Sequence, residues 1–381
     1  MDNTKVLSYV GICVIPGMTS LSVENGRFAN IQAEVGGMRQ ISLLYLVGIV
    51  IVLMWGLAPL FGIDAYTRYV WKMKDAPHLS AFKPFLKHDN VPSDEQVWRE
   101  RLMKEAPALR IKPIDARIDP VWKAIPGYNG REVDQEATLK LIASRKLAVG
   151  SAIPYIYRDI PPNQSLEDLG AQPIFKGNPE KPMVSLMINV AWGDEFLPSM
   201  LSTLNKENVH ATFFFDGTWL SKHIETARQI GAYGHELSNH AYSHKNMSRL
   251  NRDQAAAEIV KTEKLLTDKL GVHNTLFAPP SGDFDQETVD IAHQLHLKTV
   301  LWTLDTVDWK NPAPETIIRR ISKGLEPGAL ILMHPTSSSS QALPALIREI
   351  KRKGLAIGTV SELLSPSRIS PDGQGVTLLS R

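Results

Sequence analysis

The stretch KPMVSLMINVAWGDEFLPSMLSTLNKENVHATFFF, Lys181 to Phe215, decides the fold. It opens with an apolar run, VSLMIN (184–189), continues through the amphipathic FLPSMLSTLNKEN (196–208), and ends in a second apolar run, ATFFF (211–215). A strand covered on both faces reads as a near-continuous apolar run, and two such runs joined by a helix read as parallel strands with a crossover. The pattern recurs downstream in HELS (235–238), TLFA (275–278), TVLW (299–302), ALILM (329–333) and IGTV (357–360). Amphipathic stretches separate these runs, such as DQAAAEIVKTEKLLTDKLG (253–271) and PETIIRRISKGL (314–325). Strands alternating with helices over roughly 180 residues predict an α/β fold, a closed or nearly closed (β/α) barrel spanning 183–366.

In such a barrel, chemistry sits on residues that follow the C-terminal ends of the strands. His240 and His244, in SNHAYSHKN (238–246), follow one strand candidate, and Ala278-Pro-Pro-Ser281 follows the next. Asp305 and Asp308 lie beyond TVLW, and His334 beyond ALILM. On a helix or helical turn, a spacing of four puts both imidazoles on one face, within reach of one metal ion. Two surface histidines on a polar helix are the competing reading. With 11 histidines in 381 residues, roughly one chain in three shows such a pair by accident, so spacing alone does not choose. The convergence of polar stretches on one rim does.

These motifs, in order, resemble the polysaccharide deacetylases with the NodB-type barrel. GHELSNHAYSH (234–244) is similar to the family's zinc dyad segment, and FAPPSG (277–282) to its Arg-Pro-Pro-Tyr-Gly stretch. LDTVDWK (304–310) resembles an Asp-x-x-Asp-Trp motif, ILMHP (331–335) the Leu-x-His motif, and TVSELL (359–364) the closing strand and helix. More narrowly, the chain resembles a sporulation-associated, membrane-anchored branch of that family. The resemblance implies hydrolysis of acetyl groups on chitin-like or peptidoglycan sugars. In that chemistry a metal held by two histidines and an aspartate activates water, and a second aspartate, held by an arginine, takes the proton. A histidine oriented by an aspartate protonates the leaving amine.

The first motif of the family ends a strand in Phe-Asp-Asp-Gly. Here the equivalent run is Ile188 to Pro198, so the base position is Asn189 and the metal-ligand position Val190. An amide does not accept a proton near neutral pH, and an isopropyl group has no donor atom for a metal. The arginine position is Ala278 and the tyrosine position Ser281. An arginine whose partner carboxylate has become an amide is an unpaired buried charge, so the two losses share a cause. The acid half persists as His334 with Asp308, and Asp305 is the second candidate partner. His240 and His244 remain as metal ligands, and two neutral donors predict a zinc-like divalent ion held weakly or not at all. Asp194 and Glu195 offer a substitute carboxylate or, alternatively, a solvated helix N-terminus. Substrate contacts fall to Trp309, Ser281, Pro280, Asp305 and Trp192; for the two tryptophans, core packing is the alternative.

Toward the N-terminus, Ile41 to Ile63 runs without a charge. At about 1.5 Å per residue it can cross a hydrocarbon core of roughly 30 Å, which predicts an uncleaved single-pass anchor. Arg39 precedes it and Arg68, Lys72 and Lys74 follow, so charge does not settle its orientation. Residues 1–37 read as a cytoplasmic tail or a start-site artefact, 64–106 as a stalk or linker, 107–170 as a small α/β subdomain, and 367–381 as a C-terminal tail. A formal net charge of +2 argues against nucleic acid as a partner, and the lone Cys13 excludes an internal disulfide or a cysteine metal site. The expectation is a membrane-tethered protein with its barrel on the extracytoplasmic side, facing cell-wall glycan. It keeps glycan recognition and has lost most or all metal-dependent deacetylation. The alternative is an active N-deacetylase with a rearranged site.

Overall fold

The computed structural model describes residues 93–369. The candidate anchor 41–63, the segment 1–37, most of the 64–106 connector and the tail from 370 onward lie outside the described residues. Among the described residues no helix is long and apolar enough to cross a membrane.

The first described helix, α1 (Asp94–Glu105), lies within the segment 64–106. Ser93 caps it in a capping box with Gln96. Trp98 and Leu102 are buried against Val133, Leu139 and Ile142. Only Trp98 and Leu102 of the helix are buried, with Ala106 just past its end, while Met103 is exposed, which makes a stripe one side chain wide rather than the broader face of a typical surface helix. The hairpin β1 (Arg117–Asp119) and β2 (Lys123–Ile125) follows, then β3 (Gly130–Val133), α2 (Gln135–Ser144) and β4 (Tyr157–Ile160), with β3 and β4 antiparallel. Asp134 caps α2 through the Ala137 N–H. These elements form a small α/β piece that packs on the barrel. Asn178 Nδ2 donates to Pro126 O at 2.8 Å, and Asn129 N to Pro366 O at 2.8 Å. Arg368 donates to Asn129 O and lies over the Tyr128 ring.

The barrel elements follow in order: β5 (Met183–Val190), α3 (Leu197–Lys206), β6 (Thr212–Phe215), α4 (Gly217–Lys222), α5 (Ile224–Ala232), β7 (Glu236–Asn239), α6 (Arg252–Leu270) and β8 (Leu276–Phe277). Then come α7 (Gln286–Gln294), β9 (Lys298–Thr299), β10 (Leu304–Asp305), α8 (Pro314–Gly324), β11 (Leu330–Met333), α9 (Ser337–Arg352), β12 (Ala356–Gly358) and α10 (Val360–Leu364). The strands pair in the order β10-β11-β5-β6-β7-β8-β9, all parallel, with β12 beside the first half of β5. The sheet is a curled half-barrel and does not close. Between β9 and β10 the backbone turns to the segment that precedes β5 instead: Leu301 N bonds Ile174 O, and Thr303 Oγ1 bonds Phe175 O. TVLW is therefore strand only at its start, and LDTVDWK itself begins with the short strand β10.

Along β5, Val184, Leu186, Ile188 and Val190 enter the apolar cluster shared with α3, α8 and α9. Met183 and Met187 join Phe214, Ala278, Val300 and Leu330 in the second cluster, which fills the inside of the curl. Strand alternation gives Asn189 the inward parity of Met187. The buried triplet Phe213–Phe215 anchors β6 in both clusters, at about 2–3 kcal/mol for each fully buried ring.

Candidate functional site

His240 and His244 do come together, but on a loop rather than a helix. Residues 240–246 are irregular, with Ala241 (φ 58°) and His244 (φ 51°) in the left-handed region. The two rings stand edge to face, centroids 5.2 Å apart. The loop is held by side chains of α6 and β7. The buried Glu258 carboxylate accepts from Tyr242 N, Ser243 N, Ser243 Oγ and Lys245 Nζ. Thr262 Oγ1 donates to Ala241 O, and Asn239 Oδ1 accepts from Ala241 N. His240 is buried, with Nδ1 at 2.7 Å from Ala278 O. That carbonyl takes an N–H, which leaves Nε2 as the lone-pair nitrogen. Burial, reinforced by His244 and His334 and opposed by the Ala278 carbonyl, pulls the imidazole down to about 3, so His240 is neutral.

The histidine pair is suited to a metal; the rest of the donor set is not. Val190 is fully buried in the apolar cluster of β5. Asn189 is buried as well, and its Oδ1 has no hydrogen-bond partner among the described residues. Among the described residues no group of three His, Cys, Asp or Glu side chains could hold a metal ion. Nearby acidic side chains among the described residues do not supply the missing donor, and Glu236 bonds Thr212 and Ser361. Glu258 is taken up by the loop. Asp194 accepts from Trp219 Nε1 and lies 3.3 Å from His223 Nε2, half exposed at the start of a short turn. Glu195 is exposed. Two imidazoles without a third protein donor do not fit a resident hydrolytic zinc.

The acid side is assembled in full. His334, one residue past β11, has Nδ1 at 2.8 Å from Asp308 Oδ1, and its backbone N–H donates to Asp308 Oδ2 at 2.6 Å. Asp308 is fully buried and also accepts from Ser339 Oγ at the start of α9. The partner is thus Asp308 and not Asp305. Asp305 Oδ1 accepts from Val307 N and closes its own turn. Trp192 lies parallel to the His334 ring, centroids 5.3 Å apart. Trp192 is 45% exposed and Trp309 53%, so neither is a core residue. Pro280 is buried, while Ser281 is exposed in the left-handed region at φ 56°. Ala278 is fully buried and contributes its carbonyl to His240.

The site can therefore orient an imidazole beside an aromatic surface, while the positions on β5 that precede Trp192 hold Asn189 and Val190. Sequence reasoning missed Glu258, Thr262, Ser339 and the Trp219–His223 partners of Asp194. Only the run TSSSSQ (336–341), a helix N-terminus, carried a signal for any of them. A further unflagged residue is Asp216, which caps α4 through Oδ1 while Oδ2 is buried without a partner among the described residues.

Fold and rim together define a (β/α) deacetylase scaffold whose metal and base corner is altered and whose acid corner is complete. The family described as polysaccharide deacetylase matches residues 176–300. Over 301 residues the chain is 41% identical to the uncharacterized protein YlxY of Bacillus subtilis, covering 78% of this chain and 94% of the relative. It is 32% identical over 199 residues to a peptidoglycan-N-acetylglucosamine deacetylase of Bacillus cereus, covering 51% of this chain and 72% of that protein. A crystal structure of a family 4 carbohydrate esterase pseudoenzyme from Bacillus anthracis is similar at 40% identity and a TM-score of 0.66, over 71% of this chain and 96% of that one. A mutant of that pseudoenzyme, described as having restored enzymatic activity, aligns at 39% identity and a TM-score of 0.65, over 71% of this chain and 99% of that chain. The chain belongs to the polysaccharide deacetylase family.

Proposed function

We propose that this protein recognises acetylated cell-wall glycan at the envelope and has lost, or very largely lost, metal-dependent deacetylation. The observation that carries this is the split rim. His334, Asp308 and Ser339 form an intact hydrogen-bonded unit, while Asn189, Val190 and Ala278 offer neither base, nor anionic metal ligand, nor cation to hold a base. A general base alone contributes roughly 10²–10⁴-fold, about 3–5 kcal/mol, and a metal-activated water several more. Losing both leaves little of the family reaction. The likeness to a family 4 pseudoenzyme supports the reading, and the named substrate of the Bacillus cereus relative suggests peptidoglycan as the glycan. The membrane tether, with the barrel on the extracytoplasmic side, rests on the uncharged run 41–63. The sporulation-associated setting rests on the resemblance of the motifs alone.

The test uses the full chain, purified in detergent. Metal content is measured after dialysis against zinc, acetate release is followed on peptidoglycan, and pull-down on sacculi reports binding. Sacculus binding without acetate release is the expected result. Rapid acetate release that His240→Ala abolishes would establish the alternative, an active deacetylase with a rearranged site.

A further inference from the structure

We infer that Trp192 is a pyranose-stacking platform and that Asp194 is the residue that positions it. The segment that carries no base and no anionic metal ligand thereby supplies a recognition surface instead. The inference rests on the glycan-binding reading above and specifies which residue does the binding and what it binds.

The loop that presents Trp192 is fixed from several sides. Gly193 sits at φ +86°, and a Cβ there would lie 1.9 Å from Pro335 O, so only glycine lets the loop press against the chain that follows His334. Phe196 N bonds Gly193 O at 3.0 Å. Asp194 receives Trp219 Nε1 on one oxygen and faces His223 Nε2 on the other. Trp219 is itself packed in a column between Phe215 (centroids 5.3 Å, 4° between planes) and His223 (4.5 Å, 19°). His223 Nδ1 is 2.8 Å from Trp219 O. Trp192 therefore projects from a rigid base, and pre-organised aromatic groups bind with less entropic loss.

One face of the Trp192 indole covers the His334 imidazole, with 17° between the planes. The indole remains nearly half exposed. Aromatic faces are electron-rich and attract the positively polarised C–H bonds of a sugar. A gluco-configured pyranose, with its hydroxyls equatorial, offers such a face of axial C–H bonds. The imidazole beside the platform is directional. Its Nδ1 is committed to Asp308, so Nε2 is the atom free to bond a ligand. A neutral imidazole accepts there from a hydroxyl or an acetamido N–H, and an imidazolium donates to an acetyl carbonyl. The ligand that satisfies both groups is a β-linked oligosaccharide with one pyranose on the exposed indole face and an acetamido substituent reaching Nε2 past the ring's edge.

Calorimetric titration of the full chain with chitotetraose and cellotetraose tests this. Chitotetraose should bind more tightly than cellotetraose. Trp192→Ala should weaken chitotetraose binding roughly ten-fold or more, Trp192→Phe should recover most of the loss, and both variants should melt with the unchanged protein. Asp194→Ala should weaken binding in the natural background and have no further effect when combined with Trp192→Ala, because it acts only through that ring. If Trp192→Ala binds within two-fold of the unchanged protein, the platform is refuted while glycan binding stands. If the Asp194 and Trp192 effects are independent, Asp194 is not the positioning residue. If the unchanged protein binds neither oligosaccharide nor sacculi, this inference and the glycan reading fall together.

Discussion

Replacing Glu258 by alanine should both destabilise the protein and release the loop that carries the two histidines. The carboxylate is nearly inaccessible and receives Ser243 N at 2.7 Å, Tyr242 N at 3.2 Å and Ser243 Oγ at 2.8 Å. Its ion pair with Lys245 is 3.1 Å long, but the lysine is 57% exposed, so that contact adds little. Hydrogen bonds to a charged acceptor are worth about 1.5–3 kcal/mol when their donors are left dry. The released donors here reach partial solvent, which sets the total nearer 3 kcal/mol. Glu258→Gln keeps one acceptor oxygen and should lose about half as much. Burial on its own would raise the Glu258 carboxyl, but the Ser243 hydroxyl and N–H and the Lys245 ammonium outweigh it and hold the group below its ordinary value. For an acid with a lowered folded value, stabilisation is complete above the unfolded value and is lost as pH falls through the folded one. The difference between natural protein and variant should thus be full at pH 7 and shrink below about pH 4.5. Urea unfolding followed by circular dichroism gives the energy, and hydrogen exchange of amides 240–246 reports the loop. A variant within 0.5 kcal/mol of the natural protein at pH 7, or unchanged loop protection, would refute the reasoning.

Other consequences are equally direct. Lys181 is fully buried, donates to Glu362 O and Ser365 O, and is pulled down to about 7 by burial, which Glu362 only partly opposes. A base with a lowered folded value leaves the unfolded state holding more protons between that value and the unfolded one. The lysine should therefore add about 2 kcal/mol of stability from pH 7 to pH 9, a rise that unfolding of Lys181→Met should lack. Gly193→Ala forces a left-handed residue against Pro335 O; a loss of about 2–4 kcal/mol is expected in denaturant titration. Ser339→Ala removes a hydroxyl donor from buried Asp308, and chemical denaturation should show a cost of about 1.5–3 kcal/mol.

The sequence disclosed those parts of the fold that follow from local pattern. Strands buried on both faces are unbroken apolar runs, and β5, β6 and β11 stand where those runs are. The helix α1 escaped because Trp98 and Leu102 lie one turn apart in an otherwise charged stretch. The proximity of the two histidines was legible in their spacing, but the backbone that produces it was not, because a spacing of four brings rings together on a helix only when the backbone is helical. Here two left-handed residues, fixed by Glu258 and Thr262 from a helix later in the chain, produce the same proximity. Asp305 and Asp308 could not be told apart by spacing. What separates them is that one closes a turn on Val307 N and the other meets His334 and Ser339 through tertiary packing.

The altered corner of the site resists piecemeal reversal, which gives a last test. Asn189→Asp alone would place a carboxylate at a buried position whose present oxygen already lacks a partner, and an uncompensated buried charge costs about 3–5 kcal/mol. Ala278→Arg alone would bury a guanidinium at a fully enclosed alanine. Val190→Asp alone would remove a buried side chain from the main apolar cluster, at about 1.5–3 kcal/mol, and set an anion there. Combined, the three changes give the arginine a carboxylate to pair with and return the acidic donor that the two-histidine set lacks, whose charge a divalent cation neutralises. The triple variant should therefore be stabilised by metal and the natural protein far less. With zinc at 100 times its dissociation constant the stabilisation is about 2.7 kcal/mol, a clear rise in melting temperature over the same sample in a chelator. Melting curves for the triple variant that coincide in zinc and in chelator would mean that Val190 does not stand at the ligand position, and the account of how this site lost its chemistry would fail with it.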